Sequence, residues 1–156
     1  MAMNMRIARI GDAAASATSR EHADLTAALI NLEASLASPS YKRRTWWRMR
    51  VRRDQEALIH SLRTHRLSAA SSGGLYDELV LRLGKSREIR RARQDHEYME
   101  KEARALHESL GRKPQAGNED LPRRDAEVLT RVIRRHEALE AELLLEAFNR
   151  DIGVGD

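Results

Sequence analysis

Residues 86–110, SREIRRARQDHEYMEKEARALHESL, decide the fold of this chain. Their apolar side chains and one histidine recur at alternating steps of three and four residues, which keeps them on one face of an α-helix. This stripe consists of Ile89, Ala92, His96, Met99, Ala103, Leu106 and Leu110. The pattern therefore predicts a long amphipathic helix with His96 on its buried face.

Three other segments carry a similar stripe, and each stripe also contains one histidine. The first segment begins with Thr18 and Glu21, which have the spacing of a capping box. The stripes are Leu25, Leu29, Leu32 and Leu36 with His22; Trp47, Val51, Leu58, Leu62 and Ala69 with His65; and Leu129, Val132, Leu139 and Leu143 with His136. Four such helices bury their stripes most economically against one another. We expect an all-α fold, an antiparallel up-down four-helix bundle with a short extra helix or turn between the second and third helices.

Composition limits the function as well as the fold. The chain has 156 residues and no cysteine, so disulfides, thiol catalysis and zinc-thiolate sites are excluded. The sequence contains neither an apolar run of the roughly 18 residues that span a membrane nor a signal-peptide core. We expect a cytoplasmic protein with one domain over residues 18–150, a poorly ordered extension over 1–17 and a tail over 151–156.

The positive charge is concentrated in residues 41–53, YKRRTWWRMRVRR. This segment carries seven positive charges, whereas the net charge is +4, so the rest of the chain is at 4 − 7 = −3. It could bind nucleic acid or an acidic surface through Lys42, Arg43, Arg44, Trp46, Arg48, Arg50, Arg52 and Arg53. A solvated arginine face is the simpler interpretation, because no known nucleic-acid-binding motif accompanies these residues.

The four histidines on the stripes predict a polar centre inside the bundle. Buried imidazoles cost free energy unless each finds a partner. Glu100 and Glu140 follow His96 and His136 by four residues, so each pair shares a helix face. Imidazole and carboxylate ligands suit iron, manganese or zinc. A metal-free network of the same groups, in a bundle that acts through its surface, is the alternative.

Several of these residues lie in motifs that resemble the hemerythrin family, specifically its bacterial members. The matching motifs are one histidine on the first helix, Leu62-x-x-His65 followed by Gly73-Gly74-Leu75-Tyr76, the pair Asp95-His96, and His136-x-x-x-Glu140. The resemblance covers roughly residues 19–148. It implies a four-helix bundle with two non-heme irons that bind or react with dioxygen, nitric oxide or peroxide.

The resemblance also implies a ligand set and reveals one departure. It assigns His22, His65, His96, His136 and Glu140 as metal ligands, with Glu140 bridging. Glu100 is a further candidate ligand that could compensate for a missing carboxylate, at a position where family members have a histidine or no ligand. The family has a carboxylate four residues after the second-helix histidine, but Ala69 occupies that position here. We therefore expect an incomplete iron site with one or two ions or none. Its partners would be a metal ion and a small diatomic or peroxide ligand, in a protein that binds or senses rather than catalyses.

Overall fold

The computed structural model describes the backbone of residues 2–38, 44–113 and 121–153, and the side chains of most residues from 16 onward within those ranges. Within them the chain forms five helices and no strand, which confirms the all-α prediction. The helices are α1 (Ala2–Ala37), α2 (Arg44–Ala70), α3 (Leu75–Leu83), α4 (Ser86–Gly111) and α5 (Leu121–Gly153).

The first helix begins earlier than its capping-box residues predict. Thr18 is a buried residue near the middle of α1, which starts at Ala2. Residues 2–17 are rich in alanine, methionine and arginine, which favour helix, so the backbone continues helically through this region. The domain bounds at 18–150 stay a prediction, and Met1 and residues 154–156 lie outside the described residues.

The helices pack so that their apolar stripes form two buried clusters. α1 lies against α2, α4 lies against α5, and α2 also contacts α4. The first cluster draws on these four helices and includes Leu62, Met99 and Ile133. The second surrounds α3 and includes Ala69, Ala92, Leu143 and the fully buried Tyr76. Along α2, α4 and α5, one histidine lies between the residues of the first cluster and those of the second.

The predicted extra helix is α3, and a tight turn places its first residues in the interior. Gly73 has a positive φ of 71°, and Gly74 is the residue that precedes the helix. A Cβ atom on Gly74 would collide with the carbonyl oxygen of Ser68, so the close approach requires glycine. The backbone N–H of Gly73 donates to Asp77 Oδ2 at 3.0 Å. The turn therefore brings Tyr76 back against the end of α2.

Among the described residues, no helix has both the length and the apolar character needed to cross a lipid bilayer.

Candidate metal centre

Three helices contribute one buried histidine each to a single polar centre. His65 on α2, His96 on α4 and His136 on α5 are almost completely buried, as is Glu140 one turn after His136. One ligand atom from each of these four residues lies within 4.8 Å of the others. We call these four residues the histidine–glutamate centre. The stripes on α2, α4 and α5 thus converge as the sequence predicts, and the centre could hold a metal ion.

The spacing of the ligand atoms suits one ion. His65 Nε2 lies 3.0 Å from Glu140 Oε2, and His136 Nε2 lies 3.2 Å from Glu140 Oε1. The two Nε2 atoms are 3.4 Å apart. Metal–ligand bonds of about 2.1 Å place neighbouring ligand atoms about 3.0 Å apart at right angles and about 3.4 Å apart at the tetrahedral angle. His96 Nε2, at 4.0 Å from Glu140 Oε1, would need only a small inward movement.

Several buried polar atoms around the centre have no hydrogen-bond partner in the described part of the chain. Among the described residues, the buried side-chain atoms without a hydrogen-bond partner include His65 Nδ1, His136 Nδ1 and Glu21 Oε2. Buried polar groups in folded proteins are normally hydrogen-bonded, so unpaired atoms gathered at one site need an explanation. The hydrogen bonds among the described side chains therefore leave the outer nitrogens of His65 and His136 without a partner.

His22 on α1 joins the same group of side chains from its more exposed edge. Its Nε2 lies 2.7 Å from Glu140 Oε2, and its ring centre lies 4.8 Å from that of His65. The side chain of His22 retains 19% of its exposure, whereas Glu140 retains none. His22 thus lies beside the centre, as the sequence predicts. It contacts the Glu140 carboxylate and is more exposed to solvent than the other three histidines.

Tyr76 contacts two residues of the centre, and the histidine pattern does not identify it. Its hydroxyl donates a hydrogen bond of 2.6 Å to Glu140 Oε1, and its oxygen lies 2.7 Å from His96 Nε2. Burial and the Glu140 charge raise the pKa of Tyr76, so the phenol is neutral and acts as a donor. The signal in the sequence is a lone tyrosine directly after Gly73-Gly74-Leu75, in a chain with only three tyrosines.

The electrostatics of the centre depend on the ionised carboxylate of Glu140. Burial would raise the pKa of Glu140, but contacts with His136, His22 and His65 hold it well below its usual value. Burial acts to lower the pKa of His65, and the hydrogen bond and charge of Glu140 outweigh that effect and raise it. Burial and the neighbouring His136 and His65 lower the pKa of His96 to about 3. His96 is therefore neutral at physiological pH, as a metal ligand must be.

Glu100 is placed apart from the other predicted ligands. Its Oε1 accepts a hydrogen bond from Arg66 Nη1 on α2, and its side chain is one-third exposed. The i, i+4 spacing from His96 puts Glu100 on the adjacent turn of α4. The Glu100 carboxylate thus pairs with Arg66 and is not among the four residues whose ligand atoms converge.

Glu21 is a second residue near the centre that the sequence pattern does not single out as a ligand. Its Oε2 lies 3.6 Å from His65 Nδ1, on the opposite side of the imidazole from Glu140. In the sequence, Glu21 precedes His22 and stands out only as part of the capping-box pair. Its proximity to His65 depends on how α1 packs against α2, which local spacing does not reveal.

The arginines of the basic segment whose side chains the structure describes have partners within the protein. Arg48 donates to the carbonyl oxygens of Ser109 at 2.8 Å and Leu110 at 2.6 Å, at the end of α4. Three shorter-range pairs follow, in which Arg50 donates to Ser35, Arg52 contacts Glu56 and Arg53 contacts Asp54. Trp46 is exposed, whereas Trp47 is buried and donates to Ser35 O.

The side chains of the other cations in that segment are not among those that the structure describes. Lys42 and Arg43 lie outside the described residues, and Arg44 is described only as the first backbone residue of α2. Binding of nucleic acid or an acidic surface by this segment stays a prediction.

Comparisons with protein-family models, with curated proteins and with solved structures found no match to this chain.

Proposed function

We propose that the chain is a hemerythrin-type non-heme iron protein, in which the histidine–glutamate centre holds the metal. The observation that supports this proposal is the convergence of four buried ligand atoms within 4.8 Å, contributed by three helices. In the proposal, α1, α2, α4 and α5 form an antiparallel up-down four-helix bundle, and α3 is an insertion between its second and third members.

The donor set favours iron, manganese or zinc over other metals. Three imidazoles and one carboxylate form a nitrogen and oxygen shell without thiolates, which suits these ions. The resemblance of the motifs to the hemerythrin family favours iron among the three. A bound iron ion would supply an open coordination position and one-electron chemistry, which binding of dioxygen, nitric oxide or peroxide requires.

The stoichiometry that we propose is one ion. The four ligand atoms of the centre are enough for one shell with an open position. A second ion would need more carboxylate, but Ala69 occupies the helix-two position of the expected carboxylate and Glu100 is paired with Arg66. A second iron would therefore lack the carboxylate that the family places on the second helix.

The chain's own residues perform three tasks at this centre. His65, His96 and His136 hold the ion through Nε2, the atom that each directs towards Glu140. The hydroxyl of Tyr76 holds the Glu140 carboxylate in place. The two apolar clusters on either side restrict water, which strengthens electrostatic interactions with a small ligand. Such a site suits a binding or sensing protein.

Metal analysis tests the proposal. Protein purified from iron-supplemented cells should contain about one iron per chain, and the metal-free protein should take up about one Fe²⁺ or Co²⁺ in an anaerobic titration. The triple variant H65A/H96A/H136A should lose this uptake, whereas H60A/H107A, which removes the two histidines away from the centre, should keep it. Absence of metal from the purified protein together with no uptake in the titration would refute the proposal.

The alternative function is a metal-free module that acts through the basic segment. Fewer observations support it, because Arg48 caps α4 and three further arginines have partners within the chain. Retention on DNA or heparin that falls steeply between low and moderate salt would favour this alternative. Weak binding without that salt dependence would exclude it.

A further inference from the structure

Two unpaired atoms face each other beside the histidine–glutamate centre. Glu21 Oε2 on α1 and His65 Nδ1 on α2 are 3.6 Å apart. Both atoms are buried, and neither has a hydrogen-bond partner among the described residues. The side chain of Glu21 is 16% exposed and that of His65 is fully buried. A buried carboxylate oxygen and a buried imidazole nitrogen without partners are costly unless the site pairs them in its working state.

The two nitrogens of His65 point at two different carboxylates. Nε2 lies 3.0 Å from Glu140 Oε2 and 3.4 Å from His136 Nε2, inside the centre. Nδ1 lies on the other side of the ring, towards Glu21. When Nε2 binds a metal, a neutral imidazole carries its proton on Nδ1, and that N–H needs an acceptor. Glu21 Oε2 lies 3.6 Å from Nδ1 and is the acceptor that we assign to it.

Glu21 would also offset part of the positive charge of a bound divalent ion. A divalent ion with three neutral imidazoles and the single Glu140 carboxylate leaves one uncompensated positive charge in a buried site. The carboxylate that would offset it is missing at Ala69. Glu21 brings one negative charge to the same histidine, from α1 rather than from α2.

We propose that Glu21 is a positioning residue of the centre, which accepts a hydrogen bond from His65 Nδ1 and supplies the charge that Ala69 cannot. The inference rests on the proposed metal function. The present separation of 3.6 Å exceeds an N–H···O hydrogen bond by about 0.6 Å, so the contact shortens when the ion engages Nε2.

Zinc binding to matched variants tests this inference. The variants are E21Q, which removes the charge and keeps the shape; E21D, which keeps the charge on a shorter side chain; and E137Q as control. Glu137 is a partly buried carboxylate on α5 that also adjoins a centre histidine in sequence, but it accepts its hydrogen bond from Thr26 at 2.9 Å. We expect E21Q to weaken Zn²⁺ affinity by about 10–100-fold. E21D should recover part of the loss, and E137Q should stay near the wild type.

A second readout separates positioning from general stability. In the Zn²⁺-loaded protein with ¹⁵N-labelled histidine, the Nδ1 proton of His65 should give a slowly exchanging downfield NMR signal. E21Q should shift this signal and accelerate its exchange. The metal-free E21Q protein should remain folded and unfold in one cooperative transition, because glutamine keeps the shape of the side chain, so weaker Zn²⁺ binding would not reflect loss of the fold.

The outcomes distinguish this inference from the function on which it rests. If the wild type binds no Zn²⁺, the proposed metal function and the role of Glu21 both fail. If the wild type binds Zn²⁺ and E21Q matches it in affinity and in the His65 signal, only the role of Glu21 fails. Equal weakening by E21Q and E137Q would show a general effect of charge and would also overturn the inference.

Discussion

His22 Nε2 and Glu140 Oε2, 118 residues apart in the chain, lie 2.7 Å from each other and join α1 to α5. The same carboxylate accepts the hydroxyl of Tyr76 on α3 and contacts His65 on α2. With His96 on α4 at 4.0 Å, Glu140 on α5 therefore connects to side chains from the four other helices, and its negative charge is the one feature that all of these contacts share.

Replacing Glu140 should damage both metal binding and stability. The amide of E140Q carries no charge and has only one oxygen that can accept a hydrogen bond, so Tyr76 and His22 lose their charge-assisted contacts. We expect the free energy of unfolding of the metal-free protein to fall by about 1.5–3 kcal/mol. Metal affinity should fall at least tenfold.

Urea unfolding and metal titration measure the two effects of E140Q. The control is E146Q, because Glu146 is a partly exposed residue of the same helix that pairs with Lys85. It should leave the free energy of unfolding close to the wild-type value, because exposed ion pairs contribute little. Wild-type stability of E140Q would show that the carboxylate does not organise the centre.

Removing the hydroxyl of Tyr76 should lower the free energy of unfolding even though the ring is kept. Y76F preserves the packing in the second apolar cluster but leaves Glu140 Oε1 without its hydroxyl donor and His96 Nε2 without its neighbour. The expected cost is about 1–3 kcal/mol in the free energy of unfolding. Y98F is the matched control, since Tyr98 lies exposed on α4. Equal stability of Y76F and Y98F in chemical denaturation would contradict this assignment.

The convergence of histidines could be predicted from the sequence, whereas the polar groups around them could not. Helical periodicity identifies the buried face, so His65, His96 and His136 are found from local spacing alone. Tyr76 and Glu21 reach the centre because α3 folds back after Gly73-Gly74 and α1 packs on α2, which are contacts between distant segments. Glu100 has the right spacing from His96, but Arg66 on another helix binds its carboxylate. The local sequence pattern does not reveal that Arg66 pairs with Glu100.

The metal-free protein should lose stability as the pH falls from about 6 to about 5. The pKa of His96 is lowered from 6.5 to about 3 by burial and by its histidine neighbours. Below pH 6.5 the unfolded chain binds a proton at this residue that the native state does not bind, so acid favours unfolding by up to about 1.4 kcal/mol per pH unit.

The other shifted groups of the centre do not cancel this slope. The raised pKa of His65 contributes stability that is fully present below 6.5, and the lowered pKa of Glu140 contributes stability that is lost only once the pH falls below about 4.5. Thermal unfolding in the presence of a chelator measures the slope. H96Q should flatten it, whereas H60Q, at an exposed position, should keep it. A pH-independent wild-type melting temperature over this range would contradict the prediction.

Arg48 should behave as a structural residue and not as a surface cation. Its guanidinium satisfies the carbonyl oxygens of Ser109 and Leu110, which have no partner within the last turn of α4. R48A should therefore lower the free energy of unfolding by about 1–3 kcal/mol. R52A removes an exposed pair with Glu56 and should cost less than about 1 kcal/mol. Denaturant unfolding of both variants checks the difference, and similar values for the two would show that Arg48 is merely solvated.

The position of the histidine–glutamate centre between two apolar clusters affects how the molecule opens. The first cluster unites α1, α2, α4 and α5, while the second depends on the nine-residue helix α3. Without an ion, we expect the layer of imidazoles between the two clusters to be the least stable part of the interior. The residues around α3 can then unfold locally while the first cluster stays packed. Amide hydrogens of α3 should then exchange through partial opening and those of mid-α4 only through global unfolding. A bound ion would link the helices through its ligands, so the two clusters would unfold together as one cooperative unit.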